Sequence, residues 1–381
     1  MHTGAFCWQP EREVADAELW RASKHDLGAG SRLLFCSYDN LYVQMRGKRE
    51  FLARMCSRTG LTRVLETMPR RRALMVLNYH RIGNADETQF DSGVFSATAE
   101  QFDSQIAYLK RLFHLATLEE LFAMMGGDFP RGTSVLITFD DGYLDNYTLA
   151  FPILRAHGVQ AVFFLPTAFI GTGKLPWWDV ISYMIKQSVK KRIHLEYPEP
   201  AVFDLSGEGG NAVSAQILRL FTQPAVKDPE RFLKELEKEC EVSRPTSATE
   251  RCFLDWEEAR DMQQNGMAFG SHTHSHEILT KLSPELQLEE ARHSREILER
   301  ELNRRVDVLA YPVGLKHCFS AETISALEQT GYRAAFSFHG GSNHPGEIRP
   351  FDIRRYGVAD LSYARFRLQT TFRAITGAGS F

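Results

Sequence analysis

The sequence predicts an α/β fold with a mainly parallel sheet and helices packed outside it. Apolar runs of strand length alternate with helical stripes along the chain. The polar motifs fall where such runs end, the place where functional residues gather in parallel α/β folds. At 381 residues the chain has room for one large barrel or for two domains.

Residues 1–72 carry no chemical motif. Within them, Leu52, Met55, Leu61, Val64 and Leu65 have helix-like spacing across 51–68, so the region reads as a partly helical N-terminal extension. A buried strand is expected over 73–79, ending at His80. A helical stripe follows at Phe102, Ile106, Leu109 and Phe113, then a short helix over 118–125 and a strand over 134–139. Asp145 or Asn146 is expected to cap a helix running to His157, with Gly158 as its stop, and 159–165 reads as the next strand.

Residues 171–250 break the alternation. Pro198-Glu199-Pro200 and Gly207-Glu208-Gly209-Gly210 are breakers there, so an insertion beside or over the main body is expected. The pattern resumes with a helix over 253–265 and a strand over 267–270. Ser283 as N-cap and Pro284 at the first helical position open a helix to about Asn303. Strand, helix and strand are then expected over 306–311, 321–329 and 333–338.

Composition excludes several classes. Hydrophobic residues make up 43% and charged residues 24%, ordinary values for a globular protein. The net charge of -3 offers no basic field for nucleic acid, and Arg70-Arg71-Arg72 reads as a solvated loop. The six cysteines have no CxxC spacing, so reduced thiols are expected. Neither a signal peptide nor an apolar run of about 18 residues is found. A cytoplasmic protein without a transmembrane helix is therefore expected, a reading compatible with peripheral membrane association.

The chemistry is concentrated in two segments. Leu136-Ile137-Thr138-Phe139-Asp140-Asp141-Gly142 is an apolar strand ending on paired carboxylates, which are costly to bury unless something binds them. Gly270-Ser271-His272-Thr273-His274-Ser275-His276 offers imidazoles at i and i+4, which converge on one ion if the segment turns helically. One Asp with two His suits a divalent metal with open positions, and the second Asp is left for proton work. Metal-assisted hydrolysis is the chemistry these residues favour.

Thr138–Gly142, His272–His276 and Tyr311-Pro312-Val313-Gly314 together resemble the polysaccharide deacetylase family, also called NodB-homology or carbohydrate esterase 4. The resemblance spans roughly residues 73–358. It implies a deformed (β/α)7-type barrel, a divalent metal and removal of N-acetyl groups from amino sugars. The implied plan is an extension over 1–72, a catalytic domain over 73–358 with an insertion at about 171–250, and a tail over 359–381.

By this resemblance Asp141, His272 and His276 are the metal ligands and Asp140 is the catalytic base. His274 is expected to point away from the ligand face. The general acid is His80, supplied by the first strand as in the subgroup similar to poly-N-acetylglucosamine deacetylases; His339 is the alternative. The turn at Tyr311 departs from the commoner Arg-Pro-Pro-Tyr-Gly form, and the position of that Arg falls on Ala310. Arg355 resembles a late Arg of the same subgroup and is expected to orient the base instead. The backbone N–H of Tyr311 is the expected oxyanion donor.

Trp177 and Trp178 read as core and rim of a packed lid rather than as sugar-stacking platforms. Zinc is the metal expected first, and cobalt, nickel, manganese or iron would also suit the ligand set. The implied substrate is an N-acetylated hexosamine, free, lipid-linked or polymeric. Two other readings stand beside it: a deformylase or small-molecule amidohydrolase of the same family, and a degenerate module that only binds glycan or a partner protein.

Overall fold

A computed structural model describes residues 47–206, 210–245, 251–359 and 361–377. Eight strands form one sheet: β1 (Ala73–Tyr79), β2 (His114–Leu115), β3 (Thr133–Phe139), β4 (Val162–Leu165), β5 (Ala268–Ser271), β6 (Val308–Ala310), β7 (Ala334–Phe336) and β8 (Arg355–Gly357). Seven of them run in the order β7-β6-β5-β4-β3-β1-β8, and β2 pairs with the first half of β3. All pairings are parallel. A parallel bridge between Phe336 and Ile353 joins the two ends of the order, so the sheet is a nearly closed, seven-stranded barrel. The expected deformed (β/α)7-type barrel is the observed fold.

Side-chain alternation along each strand sorts residues into two cores. Met75, Leu77, Val135, Ile137, Phe163 and Leu309 face the outer helices. Leu74, Val76, Leu136, Phe164, Val308 and Ile353 belong to a second cluster, the barrel interior. Strands covered on both faces read as continuous apolar runs, which is why β1 and β3 are buried at every position. The interior is narrow. At Gly270 a Cβ would lie 2.5 Å from the Phe164 ring, so only glycine fits that position.

Helix boundaries follow local capping chemistry. Thr98 and Thr117 form capping boxes with Gln101 and Glu120 at the starts of Ala99–Leu112 and Leu118–Met125. Ser283 caps Pro284–Leu302, and Gly158 closes Phe151–His157 in a left-handed conformation, both as expected. The expected cap at Asp145 or Asn146 is corrected. A π-helical turn over Asn146–Ala150 precedes that helix without a side-chain cap. Asp145 instead accepts from Arg81 Nε at 2.7 Å and from the Ile82 N–H at 3.0 Å.

Between β4 and β5 the chain builds the helices Trp177–Gln187, Gly210–Thr222 and Pro229–Cys240 and an antiparallel pair, Arg192–Leu195 with Ala201–Asp204. These elements share an apolar core that includes Ile181, Met184, Ile217, Phe232 and Leu236. The breaker at 207–209 lies outside the described residues, as do residues 1–46 with Cys7 and Cys36. The four described cysteines form no disulfide. Within the expected tail over 359–381 lies a helix, Tyr363–Thr376, whose Leu368 packs on Ala53 and Cys56 of the helix over 47–58. Among the described residues no helix is long and apolar enough to cross a membrane.

Candidate active site

The site lies where interior-facing positions reach the carboxyl ends of the strands. The alternation that turns Leu74 and Val76 inward also turns Asn78 inward. Likewise Leu136 leads to Thr138 and Asp140, Gly270 to His272, and Ile353 to Arg355. Four strands far apart in sequence thus deliver polar side chains to one mouth of the barrel.

Asp141 follows β3 in a left-handed conformation, φ 72°, and Gly142 continues at φ 68°. Asp tolerates this region better than most side chains. At Gly142 a Cβ would meet Leu165 Cδ2 at 2.7 Å, which accounts for glycine after the Asp pair. This reversal brings the Asp141 carboxylate to the two imidazoles. Its Oδ1 is 3.5 Å from His272 Nε2 and 3.3 Å from His276 Nε2, and those nitrogens are 3.1 Å apart. Ligand atoms about 2.0–2.2 Å from a tetrahedral ion would be separated by about 3.3 Å, so the three donors fit one divalent metal. All three residues are buried, and Asp141 Oδ1 has no hydrogen-bond donor of its own. His272 Nδ1–H donates to the Ala310 carbonyl at 2.8 Å, which leaves the Nε2 lone pair for a metal.

The helical turn expected between the two His is absent. Residues 272–276 are irregular, and Thr273 and His276 adopt left-handed φ values of 65° and 60°. Glu290 holds this strained loop: Oε2 accepts from the N–H groups of His274 and Ser275, and Oε1 from the Ser275 hydroxyl. The His274 ring does point away, as expected, and Nδ1 bonds Thr167 Oγ1 at 2.8 Å.

Asp140 is held by a different set of partners. Arg355, fully buried, donates from Nη1 to Oδ1 at 2.7 Å and from Nη2 to Oδ2 at 2.9 Å. Asn78 Nδ2 adds a bond to Oδ2 at 3.0 Å, and Asn78 is in turn fixed by Thr138 and Arg355. His272 Nε2 lies 3.8 Å and His80 Nε2 4.0 Å from the same Oδ2. Burial pushes the Asp140 carboxyl upward, but the charges of Arg355, His272 and His80 outweigh it and hold the group below its ordinary range. Burial acts on Asp141 in the same sense, and the close approach of the His272 and His276 imidazoles to its carboxylate outweighs it, leaving it well below the carboxylate range. On His276 burial prevails and pushes the ring down, whereas on His272 burial is overcome by Asp140 and Asp141 and the ring is pushed up.

The structure thus places Asp140, Asp141, His80, His272, His276 and Arg355 together. His339 is turned elsewhere: its Nε2 pairs with Asp352 at 2.8 Å. The expected oxyanion donor is corrected. The N–H of Tyr311 donates to the Phe336 carbonyl at 3.0 Å, because the β6–β7 ladder runs one residue past Ala310. In the Tyr311–Gly314 turn, the N–H of Val313, at a strained φ of 62°, has no acceptor among the described residues.

Sequence reasoning did not find Asn78, Glu290 or the layer behind His276. The only trace of Asn78 is a polar residue inside an apolar strand. Behind His276 stands the Trp178 ring, 4.4 Å away centroid to centroid. Its indole N–H donates to Tyr143 Oη at 2.6 Å, and that hydroxyl donates to Asp179 Oδ2 at 3.0 Å. Trp177 stacks on Phe221 inside the insertion, as a packed lid requires. Burial pushes Asp179 up to about 7.

Comparison with known proteins agrees with this geometry. Poly-β-1,6-N-acetyl-D-glucosamine N-deacetylase of Staphylococcus aureus (strain MSSA476) is 28% identical over 207 residues, 51% of this chain and 70% of that protein. YxkH of Bacillus subtilis (strain 168), a polysaccharide deacetylase by name, is 23% identical over 271 residues, which cover 71% of this chain and 66% of YxkH. Among solved structures, the deacetylase PplD of Streptococcus pyogenes superposes with a TM-score of 0.52 at 17% identity, covering 80% of this chain and 99% of PplD. IcaB from Ammonifex degensii gives 0.50 at 18% identity, covering 80% and 98%. At such identities the two structures speak for the fold alone. The sequence profile described as polysaccharide deacetylase matches residues 128–196 and 205–335, more than half of the chain, and with the Asp141–His272–His276 cluster inside that span the chain belongs to the polysaccharide deacetylase family of metal-dependent amide hydrolases.

Proposed function

We propose that this chain removes N-acetyl groups from a glycan built of N-acetylhexosamine units, with Asp140 as base, His80 as acid and residues 73–358 as the catalytic unit. One observation carries the reading: three metal donors 3.1–3.5 Å apart adjoin a carboxylate that Arg355 holds ionised and in one orientation. The staphylococcal relative's named substrate, a polymer of N-acetylglucosamine, supports the substrate class. Zinc is the metal we assign first, by ligand type and availability.

A divalent ion held by Asp141, His272 and His276 would acidify a water and polarise the amide carbonyl. Asp140 takes a proton from that water as its oxygen adds to the carbonyl carbon. The C–N bond then breaks with its electron pair on nitrogen, and His80 supplies the proton that makes the leaving group a neutral amine. Acetate and a free amino sugar are the products.

The reading as a binding-only module rests on the Arg missing at Ala310 and on the long insertion; Arg355 answers the first by supplying a guanidinium to Asp140 from β8. The test is acetate release from β-1,6-linked N-acetylglucosamine oligomers by zinc-loaded protein. Release that is abolished by chelation and restored by zinc supports the proposal. A zinc-loaded protein that releases formate from N-formyl sugars but no acetate would replace it with the deformylase reading.

A further inference from the structure

We infer that the N-terminal helical pair, the helix over 47–58 with Leu61–Glu66, docks this enzyme on the surface of an anionic lipid bilayer. Residues 47–72 hold eight basic residues against two acidic ones, in a chain whose net charge is -3. One acidic residue, Glu50, is paired with Arg54, and the other, Glu66, is buried against Arg367. Lys48, Arg58, Arg63 and Arg71 make no ion pair among the described residues and are exposed.

The same segment exposes apolar side chains. Ala53 and Cys56 face inward on Leu368, and Leu65 packs beside them. Phe51, Leu52, Met55, Leu61, Val64 and Met68 face outward, with Phe51 67% and Val64 61% exposed. They account for more than half of the large apolar side chains that the described residues expose. Scattered exposed apolar residues need no explanation, whereas a cluster of them within eighteen residues marks an interaction surface.

Both features suit one occupant. Apolar side chains interleaved with Lys and Arg on a short helical element match the interface of a bilayer, where the apolar groups enter the acyl boundary and the cations meet acidic headgroups. A second copy presenting the same face across a two-fold axis would oppose basic residue to basic residue. A nucleic acid would use the charge and leave the apolar side chains in water.

The test is co-sedimentation of the full chain with vesicles of phosphatidylcholine alone or mixed equally with phosphatidylglycerol. Binding to the mixed vesicles only, weakened by added salt, is expected. Lys48→Gln with Arg58→Gln should lower the partition coefficient about fivefold per charge. Phe51→Ser with Val64→Ser should lower it about tenfold or more. Val189→Ser, which alters an apolar residue 90% exposed on the insertion, should leave it unchanged. Absence of sedimentation with anionic vesicles at low salt would overturn the inference. So would binding that neither double variant weakens, or a concentration-dependent dimer that Phe51→Ser dissolves.

Discussion

Arg355→Met is a substitution whose effect can be worked out from the bonds it removes. The guanidinium makes two bonds to Asp140, one to Asn78 Oδ1 and one to the Ser337 carbonyl. Methionine fills much of the volume and replaces none of these bonds. Removing one side of a buried ion pair costs about 3–5 kcal/mol. Asn78 Nδ2 stays on Asp140, so the lower end, about 3 kcal/mol, is the expected loss. The pH dependence has a definite sign. In the parent protein the folded Asp140 carboxyl lies below its unfolded value, so its contribution is present above the unfolded pKa and is lost as pH falls through the folded one. Without Arg355 the strongest interaction opposing burial is gone and the folded pKa rises. The penalty is then full near neutral pH and shrinks as the carboxyl becomes protonated at acidic pH. Urea unfolding of chelator-treated parent and variant at neutral and mildly acidic pH reads both quantities. A loss under about 1 kcal/mol at neutral pH, the size of a solvent-screened pair, would refute the reasoning, as would a penalty independent of pH.

Other outcomes follow from the same geometry. Asp141→Ala and His276→Ala should each lose bound zinc and acetate release together, checked by metal analysis of the purified protein. His80→Ala should lower kcat by about a hundredfold or more, as loss of a general acid does, and His339→Ala by less than tenfold; steady-state kinetics with the opposite order would move the acid to His339. Gly142→Ala should destabilise by about 1–3 kcal/mol, seen as a lower urea midpoint, because its Cβ must displace Leu165 and Ile170 at a left-handed backbone position.

Much of this was legible in the sequence because it is encoded locally. The runs at 73–79 and 134–139 read as strands from apolar continuity alone, and they are the neighbouring β1 and β3. Carboxylates after one strand and imidazoles after another marked the metal donors, since burial of such groups demands a ligand. What was not legible depends on pairing across the chain. Asn78 acquires its place from Arg355, 277 residues away. Asp145 looked like a cap because capping is a local rule, yet Arg81, 64 residues earlier, claims its carboxylate. Tyr311 looked like an oxyanion donor because its turn motif is visible, whereas the register that commits its N–H to Phe336 is not. The Trp178–Tyr143–Asp179 chain joins the insertion to the barrel and has no local signature.

Zinc content and acetate release measured on the same preparations of parent and Asp140→Asn test the division of labour between the two neighbouring carboxylates. Full zinc occupancy in both, with release lowered about 10²–10⁴-fold in Asp140→Asn, is the result that a base separate from the metal ligands requires. A zinc-replete Asp140→Asn protein that releases acetate at the parent rate would contradict that assignment and move the base to another residue.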